Sequence, residues 1–458
     1  MSRSIARMLT LWLAVLPALA SPPAEPAGAA ARGHEEAPAE AAASSALRLT
    51  LAEAIARARE QSPRIAQLRA LETAAGAGLD GARAQRQPSV DLTAGYTRYS
   101  NVPEFTQPPP SGQTIFPNIP NNWRSRLGVT APIYTGRRIE NGIESAAHER
   151  EGAARDVETG LDDLVLETTS AYWSLVTAGE SARVLKEALT AFDAHLADAR
   201  NRERFGMAAR NEVLAVEVER DRADLFRLEA DNAVEVAHAN LIRLLGLAPG
   251  FRVEAAEPLV APDVLPEDLE KLVQSALAAR PERGALGARL AAAEARTAAQ
   301  RAFRSPQVNA SAAYDYANPN SRILPPEAEW NATWNVGVGL SFNVFDGGRT
   351  SAAVAQSAAQ ADAIRRQIDD LDRRIRFDVT ARALDVRTAL GAVDVASRSF
   401  VSATENRRVS SDRYKAGTGL SSELLDAEAG ALRAGLDRTA MLARLRVALA
   451  SLDRAAGR

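Results

Sequence analysis

Apolar residues recur every seven positions along a long proline-free part of this chain. No proline occurs between Ile133 and Ala248, although the whole chain contains 23. From Arg138 to about Arg204, two lines of residues keep the seven-residue period: Leu161, Thr168, Leu175, Ala182, Leu189 and Leu196, and Leu164, Ala171, Ala178, Leu185, Phe192 and Ala199. The pattern predicts one helix of roughly 66 residues, about 100 Å long, whose coiled-coil seam must be covered by other elements.

Two shorter helices are predicted to cover that seam. One runs from about Arg64 to Gln87 and the other from about Met207 to Leu245, and placed end to end they match the long helix in length. The second carries apolar residues at helical spacing on one side: Leu214, Val218, Leu225 and Leu228. The later part of the chain repeats the long helix, with its seam at Ile364, Ile368, Leu371 and Ile375 and then at Val379, Val386, Leu390 and Val393.

Four further stretches alternate apolar residues with polar residues or glycine. They lie at 88–101, 122–135, 306–316 and 331–346. A period of two predicts strands with one apolar and one polar face, a pattern that a soluble sandwich would share. Each stretch is long enough to cross a bilayer when tilted, and four strands are too few to close a barrel. Several chains are therefore expected to share one sheet.

The chain contains its own pattern twice. At one constant displacement, Leu51, Pro63, Pro88, Val90, Ala94 and Tyr96 recur as Leu269, Pro281, Pro306, Val308, Ala312 and Tyr314. At a second constant displacement, Trp123, Gly128, Gly136 and Arg138 recur as Trp334, Gly339, Gly347 and Arg349. These matches predict a first structural repeat over 49–246, a proline-rich joint over 247–268 and a second repeat over 269–458.

The N-terminus has the features of an export signal. Arg3 and Arg7 precede an apolar core, and Ala18-Leu19-Ala20 has the form of a cleavage site, so 1–20 is predicted to be a signal peptide. A short membrane anchor is the alternative. Residues 21–48 are dominated by Ala, Pro and Glu and are predicted to form a disordered leader.

The composition of the chain limits the kinds of site that it can form. The chain has no cysteine, which excludes disulfides and thiolate metal sites. Its net charge of −3 comes from interspersed acidic and basic residues, so no nucleic-acid partner is expected. The four histidines are scattered and are expected to face solvent: His34, His148, His195 and His238. No catalytic motif occurs, so the chain is predicted to be no enzyme and to hold no metal or cofactor.

The two helix turns share a motif. The first reads Arg202-x3-Gly206-x5-Glu212-Val213-Leu214, and the second reads Tyr414-Lys415-Ala416-Gly417-x5-Glu423-Leu424-Leu425-x-Ala427. With the duplicated strand pairs and long helices, these tips resemble the TolC family of outer-membrane efflux proteins, over about Leu49 to Leu452. The resemblance implies a mainly α fold with a small β portion, in which three chains share a coiled-coil α-helical barrel and a transmembrane β-barrel.

The resemblance also implies roles for tip residues. Glu423 and Asp426 match acidic rings at the channel's periplasmic gate, and Glu212 and Tyr414 match residues that restrain the closed entrance. The tip glycines, Gly206 and Gly417, match the adaptor contact. A solvated helix face and ordinary helix C-caps are the alternatives for the acidic pair and the glycines. A member of the family that the chain resembles has an arginine two residues after the second tip glycine, and here that residue is Gly419, so the closing link is expected to be looser or made by Arg210.

The function implied is a passive conduit in the outer membrane of a Gram-negative bacterium, with its helical part in the periplasm. A homotrimer would export small molecules together with a periplasmic adaptor, or membrane fusion protein, and an inner-membrane pump of the RND or ABC type, while its strands contact outer-membrane lipid. The outer-membrane channel of a type I protein secretion system is the first alternative. A structural coiled-coil surface protein is the second, and it leaves the matched strand pairs unexplained.

Overall fold

The computed structural model describes residues 47–112, 114–248, 250–262 and 268–458. The helices are α1 (Leu51–Gln61), α2 (Pro63–Ala84), α3 (Arg138–Arg204), α4 (Arg210–Leu244), α5 (Leu269–Ala279), α6 (Pro281–Arg301), α7 (Arg349–Lys415) and α8 (Ser421–Ala456). The strands are β1 (Leu47–Leu49), β2 (Ser89–Arg98), β3 (Phe105–Thr106), β4 (Thr114–Phe116), β5 (Asn121–Tyr134), β6 (Val253–Ala255), β7 (Gln307–Asn318) and β8 (Asn331–Ser341). The fold is mainly helical, as predicted, and no helix in these ranges is long and apolar enough to span a membrane.

The N-terminal part of the described chain begins with a strand. β1 pairs in parallel with β6, so Leu47 and Arg48 belong to this small sheet rather than to the leader. The predicted signal peptide and the rest of the leader lie outside the described residues. Thr50 then starts α1 with a capping box to Glu53, and Ser62 caps α2, whose first residue is Pro63.

The long helix α3 is the element on which the others pack. It spans 67 residues, and all twelve seam positions are buried or half-buried. It contacts α1, α2, α4, α6 and α8, while α7, also 67 residues long, packs on α5, α6 and α8. Towards the turns, the helices therefore follow the order α4, α3, α8, α7. In α7 the buried seam contains Ala389 instead of the predicted Leu390, one position later in the sequence.

The prediction for the returning helix α4 was wrong about which face is buried. Its four predicted seam residues are exposed: Leu214, Val218, Leu225 and Leu228. The residues that face α3 and its neighbours lie on an adjacent face, at Val213, Val216 and Ala223. Because α4 has two apolar faces, a helical period alone could not show which of them contacts α3.

Four strands form one antiparallel sheet in the order β2, β5, β7, β8. The two strand pairs have the same register: Tyr96 lies opposite Trp123 and Tyr314 opposite Trp334. One face of the sheet is apolar and largely exposed, with Leu92, Leu127, Val336, Val338 and Leu340 among its residues. The strand β8 ends at Ser341, five residues before the predicted end.

Candidate functional site

The two long helices end in turns of the same geometry. Gly206 and Gly417 have φ angles of 68° and 76°, the left-handed conformation that favours glycine. In the first turn, the Met207 amide donates to the Arg202 carbonyl at 2.8 Å, and in the second the Thr418 amide donates to the Arg413 carbonyl at 2.9 Å. These bonds satisfy carbonyls at the helix ends, so both glycines have a C-cap role.

Close to these turns, buried hydrogen bonds join the first hairpin, formed by α3 and α4, to the second hairpin, formed by α7 and α8. His195 on α3 is 4% exposed, and its Nδ1 lies 2.9 Å from Oε2 of Glu428 on α8. Its Nε2 lies 3.2 Å from Oγ of Ser421, the first residue of α8. A buried carboxylate is costly without a partner, so this chain of contacts holds the start of α8 against α3.

Tyr414 forms the second contact between the hairpins. Its ring lies 4.1 Å below the guanidinium of Arg202 and 5.1 Å from the His195 ring. Arg202 also donates a hydrogen bond of 2.8 Å to the Tyr414 carbonyl. Burial raises the pKa of the Tyr414 hydroxyl, against the lowering effect of Arg202. The last turn of α7 is thus held on α3 by one arginine that binds both its backbone and its ring.

Glu212 and Tyr414, the two residues matched to the entrance restraint, are not hydrogen-bonded to each other, but the carboxylate of Glu212 lies near enough to help raise the pKa of the Tyr414 hydroxyl. The Tyr414 hydroxyl is buried and lies beside Ser421, although the geometry is outside the limits of a regular hydrogen bond. The ring is instead packed between Arg202 and His195. Arg210, the alternative for the closing link, pairs with Glu203 at 3.3 Å and so stays within the first hairpin.

The two acidic residues proposed for the gate lie on the first turns of α8. Glu423 and Asp426 are exposed on one side of that helix. Glu423 pairs with Arg413 at 3.2 Å across the second turn. At Gly419, a Cβ atom would lie 3.1 Å from the Tyr414 amide nitrogen, so the turn leaves little room for a side chain at this position.

Sequence reasoning missed the buried histidine. His195 was expected to face solvent, and so was His238, which is 8% exposed and accepts a 2.8 Å hydrogen bond from the Val253 amide. The signal for His195 was its position: it shares a helical face with Phe192 and Ala199, two seam residues. No group of three metal-ligating side chains occurs among the described residues.

The model of the outer membrane efflux protein family matches residues 54–247 and 272–458, and the chain belongs to this family. It is an efflux channel of the outer membrane, with its helical part in the periplasm, and members of the family are channels rather than enzymes.

Relatives and solved structures agree with this assignment. The chain is 26% identical to protein CyaE of Bordetella pertussis over 415 residues, covering 89% of this chain and 84% of that protein. It is 20% identical to outer membrane protein TolC of Vibrio cholerae over 380 residues, covering 82% and 83%. The CmeC outer membrane channel of Campylobacter jejuni has the same fold, with a TM-score of 0.76 at 16% identity over 89% of this chain and 85% of that one.

Proposed function

We propose that three copies of this chain form one closed conduit, in which twelve strands make a membrane barrel and the long helices make a periplasmic tube. Proteins of this family are trimeric channels that work with adaptors and inner-membrane pumps. The observation that carries the proposal is the four-stranded sheet, which has one exposed apolar face and whose outer strands, β2 and β8, pair with no further strand among the described residues. An exposed apolar face suits lipid, and closure with other copies removes free edges.

Aromatic residues on the apolar face support a membrane position. Tyr96 packs on Trp123 with ring centroids 4.3 Å apart, and Tyr314 faces Trp334 in the next strand pair. All four lie towards the end of the sheet that is remote from the helices. Such a row is typical of the interface between lipid and water.

The outer helices carry matching apolar stripes. On α4 the exposed stripe consists of Leu214, Val218, Leu225, Leu228 and Val236. On α7 an exposed stripe at one helical spacing consists of Phe377, Leu384, Val395 and Val409. Because α4 and α7 are the two outer helices of the four-helix order, a ring of copies pairs α4 of one copy with α7 of the next. Both stripes are then buried.

The tips close the conduit at its periplasmic end. The contacts of His195 and Arg202 hold the second hairpin against the first, and three copies of Glu423 and Asp426 form the acidic entrance. The exposed side chains of Phe205 and Met207 flank Gly206 and offer an apolar contact to the adaptor. An inner-membrane pump of the RND or ABC type delivers small molecules to this entrance.

The internal duplication predicts the register between copies. Within the chain, Leu127 of β5 lies opposite Tyr314 of β7. The counterparts of these residues in the other repeat are Val338 on β8 and Tyr96 on β2, so Val338 of one copy is expected to face Tyr96 of the next. In a single copy these two residues lie on opposite edge strands.

A cysteine pair tests the trimer and its register together. The chain has no cysteine of its own, so the double variant Tyr96→Cys with Val338→Cys introduces the only thiols. Opposed residues have the separation that a disulfide needs, whereas diagonal neighbours are about 7–8 Å apart. Oxidation in outer membranes should give a covalent trimer on denaturing gels. The control pair Tyr96→Cys with Leu340→Cys should give monomers, and monomers from both pairs would refute the proposed ring.

A further inference from the structure

The polar face of the sheet carries a cluster of arginines at the end remote from the helices. Arg124 and Arg126 lie on β5, and Asp315 lies opposite Arg126 on β7. Arg322, in the loop after β7, is held near them because it donates a 2.9 Å hydrogen bond to the Trp334 carbonyl. Together with threonine, asparagine and glycine residues, these four side chains line a cavity of about 640 Å³.

The guanidinium groups on β5 have unused hydrogen-bonding capacity. Arg124 Nε and Arg126 Nη1 lie 3.9 and 3.8 Å from Asp315 Oδ1, too far for hydrogen bonds. Neither side chain donates a hydrogen bond to any residue in the described ranges, and Asp315 Oδ1 is buried without a partner there. Small residues, Gly95 and Ala317, lie opposite Arg124 on both sides and leave space above it.

The loop that bounds the cavity is ordered by its own hydrogen bonds. Asn320 is 4% exposed and donates to the Asn331 carbonyl at 2.9 Å and to the Thr333 hydroxyl at 3.2 Å. The Arg322 amide donates to the Asn320 side chain at 3.0 Å. The position of Arg322 is therefore built into the loop, and the cavity has three positive charges against one negative charge.

We propose that this cavity binds a small anion that bears phosphate or carboxylate groups, as a cargo-binding site near the outer mouth of the conduit. Planar guanidinium groups match the oxygens of such anions, and neutral hydroxyl and amide groups suit the polar remainder. The position inside the conduit rests on the proposed function, because it requires the apolar face to contact lipid. Binding of the anion itself requires only the cavity.

Titration of the full chain in detergent with inorganic pyrophosphate tests the site at low ionic strength. The variant Arg124→Gln with Arg126→Gln should bind at least roughly tenfold more weakly, because two charge-assisted contacts are lost. Asp315→Asn should bind roughly fivefold more tightly, because the carboxylate among the described lining residues is removed. A gain in affinity is not produced by misfolding. The matched control is Arg98→Ala on β2, whose side chain contacts Asn121 outside the cavity and should leave binding unchanged.

Equal affinity in all four proteins, or no binding to the wild type, would overturn the site. Phosphatidylglycerol that competes with pyrophosphate would assign the arginines to lipid headgroups and would overturn it as well. In planar bilayers, pyrophosphate should be added on the side of the membrane opposite the helices. It should reduce the conductance of the wild type and leave the conductance of the double-glutamine variant unchanged. If the wild type conducts but pyrophosphate does not reduce its conductance, the cargo role is contradicted and the conduit is not. If the wild type forms no channel, the proposed conduit itself is contradicted.

Discussion

The two hairpin tips have the same backbone turn but are anchored differently. The first tip exposes Phe205 and Met207, which are 72% and 70% exposed, and its helices are joined by apolar contacts that include Leu196 and Val216. The second tip is held on the first hairpin by the buried contact of Tyr414 with Arg202 and by that of Glu428 with His195. The two tips therefore share the backbone turn, while their side chains differ: the first forms an exposed apolar surface and the second a polar anchor.

This difference matters because apolar and polar contacts respond differently to movement. Apolar packing tolerates small shifts, whereas a buried carboxylate that loses its partner incurs the whole cost of desolvation. The second hairpin is thus expected to have two discrete positions, bound and released, while the first stays packed. A gate made by the second hairpin would need this property.

The largest effect is expected from His195→Ala. It leaves Glu428 buried without its partner, at a cost of about 3–5 kcal/mol at this contact. Hydrogen exchange of the amides at the start of α8 should speed up strongly, and channels should open more often in planar bilayers. His148→Ala is the control, because the pair of His148 with Glu151 on the same helix is largely solvated and contributes less than about 1 kcal/mol. Equal rates of amide exchange at the start of α8 in both variants would show that the second tip is not anchored by His195.

Arg202→Ala should have the next largest effect. It removes the hydrogen bond to the Tyr414 carbonyl and the ring contact, a loss of about 1.5–3 kcal/mol. The second tip should become more sensitive to protease, while the first tip keeps its wild-type sensitivity. Arg222→Ala removes a looser ring contact, 5.8 Å from Phe226, and should change neither tip. Cleavage that rises at both tips alike would show that the anchor is shared.

Substitution of the turn glycine should destabilise both turns equally. Gly206→Ala and Gly417→Ala should each cost about 1–2 kcal/mol, because alanine is strained at these φ angles although there is space for its Cβ. The midpoint of thermal unfolding of the purified protein measures both. Gly430→Ala, within α8 and with free space around it, should instead be neutral or stabilising. Different losses at Gly206 and Gly417 would mean that the two turns are not equivalent.

The smallest effect on stability is expected from Glu423→Ala with Asp426→Ala. Both side chains are exposed, and the ion pair with Arg413 is worth less than about 1 kcal/mol. The double variant should nevertheless lose selectivity for K⁺ over Cl⁻ and lose block by multivalent cations from the periplasmic side, because the fixed negative charge is removed. Unchanged block would assign the two carboxylates to an ordinary solvated helix face.

Much of the architecture could be predicted because it depends on local periodicity. The bounds of α3 and the positions of the four long strands follow from spacing along the chain. The predicted tip residues lie at the ends of the two hairpins, but spacing did not predict the contacts of Tyr414 with Arg202 and His195. Those contacts depend on how two hairpins pack, which spacing within either one does not specify.

The sequence by itself determined the long helix α3 and the four long strands, because backbone hydrogen bonding and side-chain period act over a few residues. Only the tertiary structure decided which apolar face of α4 is buried, since that helix has two. It alone brought His195 to Glu428, 233 positions away, and placed Arg124, Arg126 and Arg322 in the lining of one cavity with Asp315. Such contacts form between elements distant in sequence, where charge and burial are set by packing rather than by any local pattern.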